Sequence, residues 1–390
     1  MQVKYTIVVL EKSMLCFYIE QVTNYMQIRN YLNNLCRFYF LKSNSFIIYI
    51  TNRCNAGCGH CFYSSQLNKE SELTLKELTN IVEVLSKHSE FVILTGGEPF
   101  LRSDITDIFD ILHKNNIKRI SLTTNGSFPE RVKFLINNVK HYNFSLTIQI
   151  SLDGIGQVHD DARNLNDSFN KAIHTANIAK SLGVNTYFLF TITKKNYKQL
   201  GEIVKFMQKL DMNIGFELIR GPILSGLSDE NRNNLNPEDT SLLFDFNTLN
   251  DLRLYLADMI NKSSGVSRTL SIINNVSRLE FNIETLLRKK SLVSCVAGDS
   301  IGVIYPSGDI ALCEFLKPLG NIVKENYDFL KLWNGINADR QRELTKNCYC
   351  THSCFIPTTA SYKFLLLFAK LIIMKLCLKK TICIEDLGHI

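Results

Sequence analysis

Cys54-Asn55-Ala56-Gly57-Cys58-Gly59-His60-Cys61 follows closely on the apolar run Phe46 to Tyr49, so three cysteines spaced CxxxCxxC occupy a loop after a predicted strand. Three thiolates with no near fourth cysteine can hold three corners of a cubic iron-sulfur cluster and leave one iron open to another molecule. A structural zinc ion asks for a fourth close ligand, and His60 sits between two of the cysteines, where joint ligation is awkward. Taken alone, the spacing leaves a cluster and a zinc ion both open.

Outward from this loop, short apolar or β-branched runs alternate with longer amphipathic segments. Strands are predicted at Phe46 to Tyr49, Phe91 to Leu94, Arg119 to Thr123, Thr147 to Ser151, Thr186 to Ile192 and Ile214 to Leu218. Between the first two lies a helix-like segment, Leu75 to Ser86, opened by a capping box of Thr74 and Glu77. The alternation predicts an α/β fold, a partial (β/α)6 TIM-like barrel over residues 46–225, with its chemistry at the C-terminal ends of the strands.

The second strand ends in Thr95-Gly96-Gly97-Glu98-Pro99. Two glycines allow close backbone approach, and a carboxylate just beyond the strand suits an ammonium group, although a plain Gly-rich turn fits the same residues. A phosphate loop is excluded, because its spacing and its Lys-Ser/Thr pair are missing.

A CxxxCxxC loop after strand one and a GGEP after strand two resemble the radical S-adenosylmethionine (SAM) superfamily. The resemblance implies that Cys54, Cys58 and Cys61 bind a 4Fe-4S cluster whose fourth iron is chelated by SAM, and that one-electron reduction yields a 5'-deoxyadenosyl radical. It implies that Gly96, Gly97 and Glu98 line the methionine amino group and that His60, where Phe, Tyr or Trp is commoner, meets the adenine through its backbone. Ser151 and Arg163 become candidates for SAM polar groups, and Asn125 and Asp153 further candidates that also suit turns.

Twelve cysteines occur, and five of them, Cys295, Cys313, Cys348, Cys350 and Cys354, form a second group near Gly308 and Gly320. This region resembles the SPASM and Twitch extensions of the superfamily, the single-cluster Twitch form better, with the closing CxxC replaced by CxCxxxC. The resemblance implies a second, auxiliary 4Fe-4S cluster, for which four of the five thiols suffice. A zinc ribbon is the alternative, since ligand type does not separate the two. Cys16, Cys36, Cys377 and Cys383 read as small buried hydrophobes.

The expected organisation is an N-terminal extension at 1–45, the barrel at 46–225, a linking helical segment at 226–290, the Cys-rich domain at 291–358 and an apolar basic helix at 359–390. The linking segment opens with a polar loop, Ser228 to Glu238, followed by helix from Asp239 to Lys262, while residues 295–356, with little helical period, suit a metal-organised domain without an apolar core. Lysines interrupt the tail Lys363 to Lys380, so it is too short in uninterrupted apolar run to span a bilayer; packing on protein is favoured over an interfacial membrane helix. The apolar stretch Tyr5 to Leu10 is cut off by Glu11 and Lys12, which predicts no signal peptide and a reducing, cytoplasmic setting, with peripheral membrane attachment as the lesser alternative. A formal charge of +7 is too small and too dispersed along the chain to imply nucleic acid, and no nucleic-acid partner is expected.

The expected function is a radical SAM oxidoreductase or maturase acting on a peptide or protein, served by a reductant such as a flavodoxin or ferredoxin. Modification of a sugar or lipid-linked glycan precursor, and a zinc-binding interaction module, are the alternatives.

Overall fold

The computed structural model describes residues 45–69, 72–221, 227–233, 235–352, 354 and 362–387, so the expected N-terminal extension lies outside the described residues except for Ser45. Six parallel strands, β1 (Ser45–Thr51), β2 (Phe91–Gly96), β3 (Arg119–Thr124), β4 (Ser145–Ser151), β5 (Asn185–Ile192) and β6 (Asn213–Leu218), pair in sequence order. They stand where the sequence places them, with ends extended by one or two residues. Helices α1 (Leu75–Ser86), α2 (Ile105–Lys114), α3 (Pro129–Val139), α4 (Gln157–Arg163), α5 (Ser168–Ser181) and α6 (Leu200–Lys209) connect them. At the start of α1 the Thr74 hydroxyl accepts from the Glu77 amide at 3.2 Å, and the Glu77 carboxylate accepts from the Thr74 amide at 2.8 Å.

Burial alternates along β2 to β5, while β1 is buried throughout. Val92, Leu94, Ile120, Leu122, Ile148, Ile150, Phe188 and Phe190 are buried in one core with apolar residues of the helices, including Ile81, Phe109, Leu135 and Ile203. The opposite side of β3 to β5 carries Ser121, Thr123, Gln149, Ser151, Tyr187, Leu189 and Thr191, all half-buried and all but Leu189 polar. One face of the sheet is therefore covered by helices, and the other is a polar, accessible wall, the inside of a partial barrel.

The Cys-rich segment continues the same sheet. Strand β7 (Ile301–Ile304) pairs in parallel with β1, Ser45 facing Ile301, and β8 (Asp309–Ala311) and β9 (Gly320–Asn321) follow antiparallel. The segment also has apolar packing of its own: Ile301, Val303, Leu312, Phe315 and Leu316 form one cluster with Ile47, Tyr49, Phe62 and Tyr63, near helices α7 (Phe329–Trp333) and α8 (Ile336–Thr345). The expectation of a segment without an apolar core is corrected here. Four consecutive buried residues, Ile301 to Ile304, have no alternation to betray them.

Between barrel and Cys-rich segment lie two long helices, α9 (Phe246–Lys262) and α10 (Val266–Arg288). Asp245 caps α9 by accepting from the Thr248 amide at 2.9 Å, which starts the helix later than the predicted Asp239. The Arg253 guanidinium bridges the buried carboxylates of Glu280 and Glu284 on successive turns of α10. The tail forms α11 (Tyr362–Ile372), a π-helical turn (Ile373–Cys377) and α12 (Ile384–Leu387). Leu367 and Leu371 are buried in the main core, and Asn261 exchanges two 2.8 Å hydrogen bonds with the backbone of Ile382. Among the described residues, no helix is long and apolar enough to cross a membrane.

Candidate active site

The cysteine loop leaves β1 and crosses the end of β2. The Gly97 amide donates to the Thr51 carbonyl at 2.9 Å and the Glu98 amide to the Arg53 carbonyl at 2.8 Å. A Cβ at Gly97 would lie 2.2 Å from the Arg53 carbonyl oxygen, and one at Gly96, where φ is +147°, would lie 2.3 Å from that of Thr51. Both glycines are therefore required by the approach of the two loops.

Glu98 is fully buried. One carboxylate oxygen accepts from the Thr124 hydroxyl at 2.7 Å and the Phe100 amide at 3.1 Å, and the other from the Asn125 amide at 2.7 Å. Burial raises its pKa, against these three bonds. Asn125 in turn donates from its side chain to Asn55 at 2.9 Å, so the ends of β2 and β3 and the cysteine loop are fastened together. In this arrangement Glu98 acts as a strut between the loops.

The second half of the site comes from the ends of β4 and α4. The Asp153 carboxylate lies 2.6 Å from Nε of Arg163 and 3.5 Å from Nε2 of His60, all three side chains being nearly or wholly buried. Nη1 of Arg163 reaches Sγ of Cys58 at 3.6 Å, and the Arg163 carbonyl accepts from the Gly57 amide at 2.9 Å. Burial alone would raise Asp153, but the Arg163 guanidinium, with His60 and His159, outweighs it and holds the carboxyl below its ordinary range. Burial pushes the Cys54 thiol up to about 11, and burial with the neighbouring Cys58 pushes Cys61 up to about 12. Ser151 ends β4 on the polar wall, opposite Leu189 of β5. The sequence-predicted residues of the first site thus lie at the C-terminal ends of β1 to β4, close around one loop.

Cys313, Cys348 and Cys350 are buried in one cluster, and Cys295 and Cys354 pack half-buried against it. Cys295 is pushed up to about 12 by burial and then by Cys348, and Cys313 is raised by burial and then by Cys295 and Cys348. Cys350 is raised by its hydrogen bond with Cys348, by burial, and by the charges of Cys348, Cys313 and Cys295. These four thiols lie within electrostatic reach of one another. Cys354 acts on Tyr187 of β5 and on Arg220, just past β6. Among the described residues, no three His, Cys, Asp or Glu side chains converge on a position for one metal ion.

Sequence reasoning missed a buried polar network between the two cysteine groups. Glu314, next to Cys313, accepts from the Tyr49 hydroxyl and contacts the His352 ring, while Nη1 of Arg220 lies 2.9 Å from His352 and 3.7 Å from Glu217. Burial would raise Glu314, but His352 and Arg220 bring it down to about 2. The Arg220 guanidinium stacks over Phe62, the residue after Cys61, at 4.9 Å. Tyr49, Tyr63 and Tyr305 cluster beside it, with centroid separations of 4.7, 5.4 and 6.1 Å. Only the strand-end position of Arg220 and the place of Glu314 beside a cysteine hinted at this in the sequence.

Residues 48–207 match the model of the radical SAM superfamily. The chain is 26% identical over 162 residues to Fe-coproporphyrin III synthase of Methanosarcina barkeri, which covers 41% of this chain and 40% of that protein. It is 20% identical over 337 residues to the antilisterial bacteriocin subtilosin biosynthesis protein AlbA of Bacillus subtilis, covering 81% of this chain and 68% of that one. Its fold resembles that of native anSMEcpe with bound AdoMet and Kp18Cys peptide, with a TM-score of 0.56, 20% identity and coverage of 77% of this chain and 83% of that one.

Proposed function

We propose that this chain, whose residues 48–207 match the model of the radical SAM superfamily, is an iron-sulfur enzyme that modifies a peptide or protein by radical chemistry. When bound, a 4Fe-4S cluster and SAM supply a one-electron cleavage whose 5'-deoxyadenosyl radical removes hydrogen from a substrate. The observation that carries the proposal is the placement of Cys54, Cys58 and Cys61 on one loop, with Arg163 against Cys58 and the Gly96–Gly97 crossing beneath.

The residues fit such a group. Three thiols with no fourth on the loop match a cluster with one open iron, and the Arg163 guanidinium is placed to offset thiolate charge at Cys58. Gly96 and Gly97 leave backbone open to the methionine end of SAM, while Glu98 and Asn125 hold those backbones in place. Asp153 keeps Arg163 oriented, His60 closes the far side of Asp153, and Ser151 offers a hydroxyl from the polar wall. Cys295, Cys313, Cys348 and Cys350 are the proposed ligands of an auxiliary 4Fe-4S cluster, leaving Cys354 on the barrel side.

On the wall of β3 to β5, where the Tyr187 hydroxyl already donates to Gln149 at 2.6 Å, the half-buried hydroxyls of Ser121, Thr123, Ser151 and Thr191 suit the hydrogen-bonding groups of a peptide backbone better than an apolar ligand. The likeness to AlbA and to the fold of anSMEcpe supports a peptide, and a flavodoxin or ferredoxin in a reducing compartment is the proposed electron source. Anaerobic reconstitution tests the two-cluster reading: about eight irons and eight sulfides are expected, and about half of each after Cys54, Cys58 and Cys61 are all changed to Ala. Tightly bound zinc at the C-terminal group would contradict it.

A further inference from the structure

The C-terminal helix has apolar residues on two sides. Leu367 and Leu371 are buried, and α11 rests on α10. Yet Leu366, Ile373 and Leu378 are 52%, 37% and 49% exposed. At 100° per residue, Leu366, Ala369, Lys370 and Ile373 share one side, and all four are exposed. A helix that is apolar on both its inner and outer faces needs a second cover besides the protein core.

The charge on this segment indicates what that cover is. From Tyr362 to Ile384 the sequence holds Lys363, Lys370, Lys375, Lys379 and Lys380 and no Asp or Glu. Lys370 donates to the Asp386 carbonyl at 2.7 Å, and Lys375 to that of Asn261 at 2.6 Å. Among the described residues, Lys379 and Lys380 are exposed and make no ion pair, and Glu385 is the exposed acid next along the chain. A second copy of the chain would bring two lysine sets together, which like-charge repulsion opposes. An anionic lipid surface accepts both features at once, since apolar side chains enter the headgroup boundary while lysine stems extend to phosphates.

We propose that the outer face of α11 and the turn after it, with Leu366, Ile373 and Leu378 inserted and Lys379 and Lys380 at the headgroups, seats this protein on an anionic bilayer. The inner face stays on α10, so the helix is both part of the fold and a peripheral anchor. This inference does not depend on the radical chemistry.

The test is sedimentation of the full chain with phosphatidylcholine vesicles prepared with and without phosphatidylglycerol. Binding to the anionic vesicles alone is expected, weakened by added salt and about fivefold by each of Lys379→Gln and Lys380→Gln. The pair Leu366→Glu and Ile373→Glu should abolish it while leaving the far-ultraviolet circular dichroism unchanged, because both sites are exposed. Should that pair fail to fold, the two lysine variants still decide the matter. Wild-type protein that stays in the supernatant with both vesicles, or lysine variants that bind as wild type does, would overturn the proposal. So would a dimer that Leu366→Glu dissociates, which would assign the face to a second copy.

Discussion

Nη1 of Arg163 lies 3.6 Å from Sγ of Cys58, so a cation from the end of α4 faces the middle thiol of the CxxxCxxC loop. The same guanidinium is 2.6 Å from the buried Asp153 carboxylate, and it therefore serves two anionic groups from separate elements. Removing it by Arg163→Ala strands Asp153 as an uncompensated buried charge, which should cost about 3–5 kcal/mol in urea denaturation of the cluster-free protein. Arg163→Lys should recover part of that loss, and adding Asp153→Asn to Arg163→Ala should recover more, a non-additivity that a double-mutant cycle reads directly. Additive losses would mean that the two side chains do not act as a pair.

Glu98 accepts three hydrogen bonds from the ends of β2 and β3. Glu98→Ala leaves those buried donors unsatisfied, at about 1–3 kcal/mol each before relaxation. Thermal stability and SAM affinity should therefore fall together, with Glu98→Gln intermediate in both. Weakened SAM binding at an unchanged melting temperature would instead make the carboxylate a direct SAM contact.

The proposed ligand set of the second cysteine group gives a variant-by-variant expectation. Cys295→Ser, Cys313→Ser, Cys348→Ser and Cys350→Ser should each lower iron content after anaerobic reconstitution to about half that of wild type, whereas Cys354→Ser should keep nearly all of it. Loss of half the iron in Cys354→Ser, with Cys348→Ser or Cys350→Ser unaffected, would exchange the ligand set.

Much of the core was readable because its signals are local. Strands β2 to β5 alternate in burial, Thr74 and Glu77 form their box, and the CxxxCxxC and GGEP loops sit at the ends of adjacent strands. What escaped is non-local or lacks a period. β7 pairs with β1 across a long stretch of chain and is buried throughout, and the middle of α10 is covered on all sides, hiding its helical spacing. The Tyr49–Glu314–His352–Arg220 network draws on elements far apart in sequence, so no motif announces it. The position of Glu98 beyond β2 is legible, but its role as a strut is not, because its bonds to Thr124 and Asn125 depend on how β3 ends.

Glu280 carries a pH dependence. Its carboxyl is raised from 4.5 to about 6 by burial between α9 and α10, despite the Arg253 guanidinium beside it. The folded state therefore holds this proton more tightly than the unfolded chain does, so the contribution to stability is fullest below pH 4.5 and is lost as pH rises to about 6. From well below pH 4.5 to well above pH 6 wild-type protein should lose about 2 kcal/mol relative to Glu280→Gln in paired denaturation curves. A constant difference between the two proteins from acid to neutral pH would refute the buried, raised carboxyl.

Reductive cleavage of SAM at the Cys54, Cys58 and Cys61 loop is the step on which the proposed function rests. The most direct measurement of it is chromatography of anaerobic mixtures of reconstituted protein, dithionite and SAM, without any added peptide. 5'-Deoxyadenosine and methionine should accumulate with wild-type protein and be absent from the variant in which all three cysteines are Ala. Absence of 5'-deoxyadenosine from fully iron-loaded wild-type protein, or equal amounts from the triple variant, would contradict this chemistry.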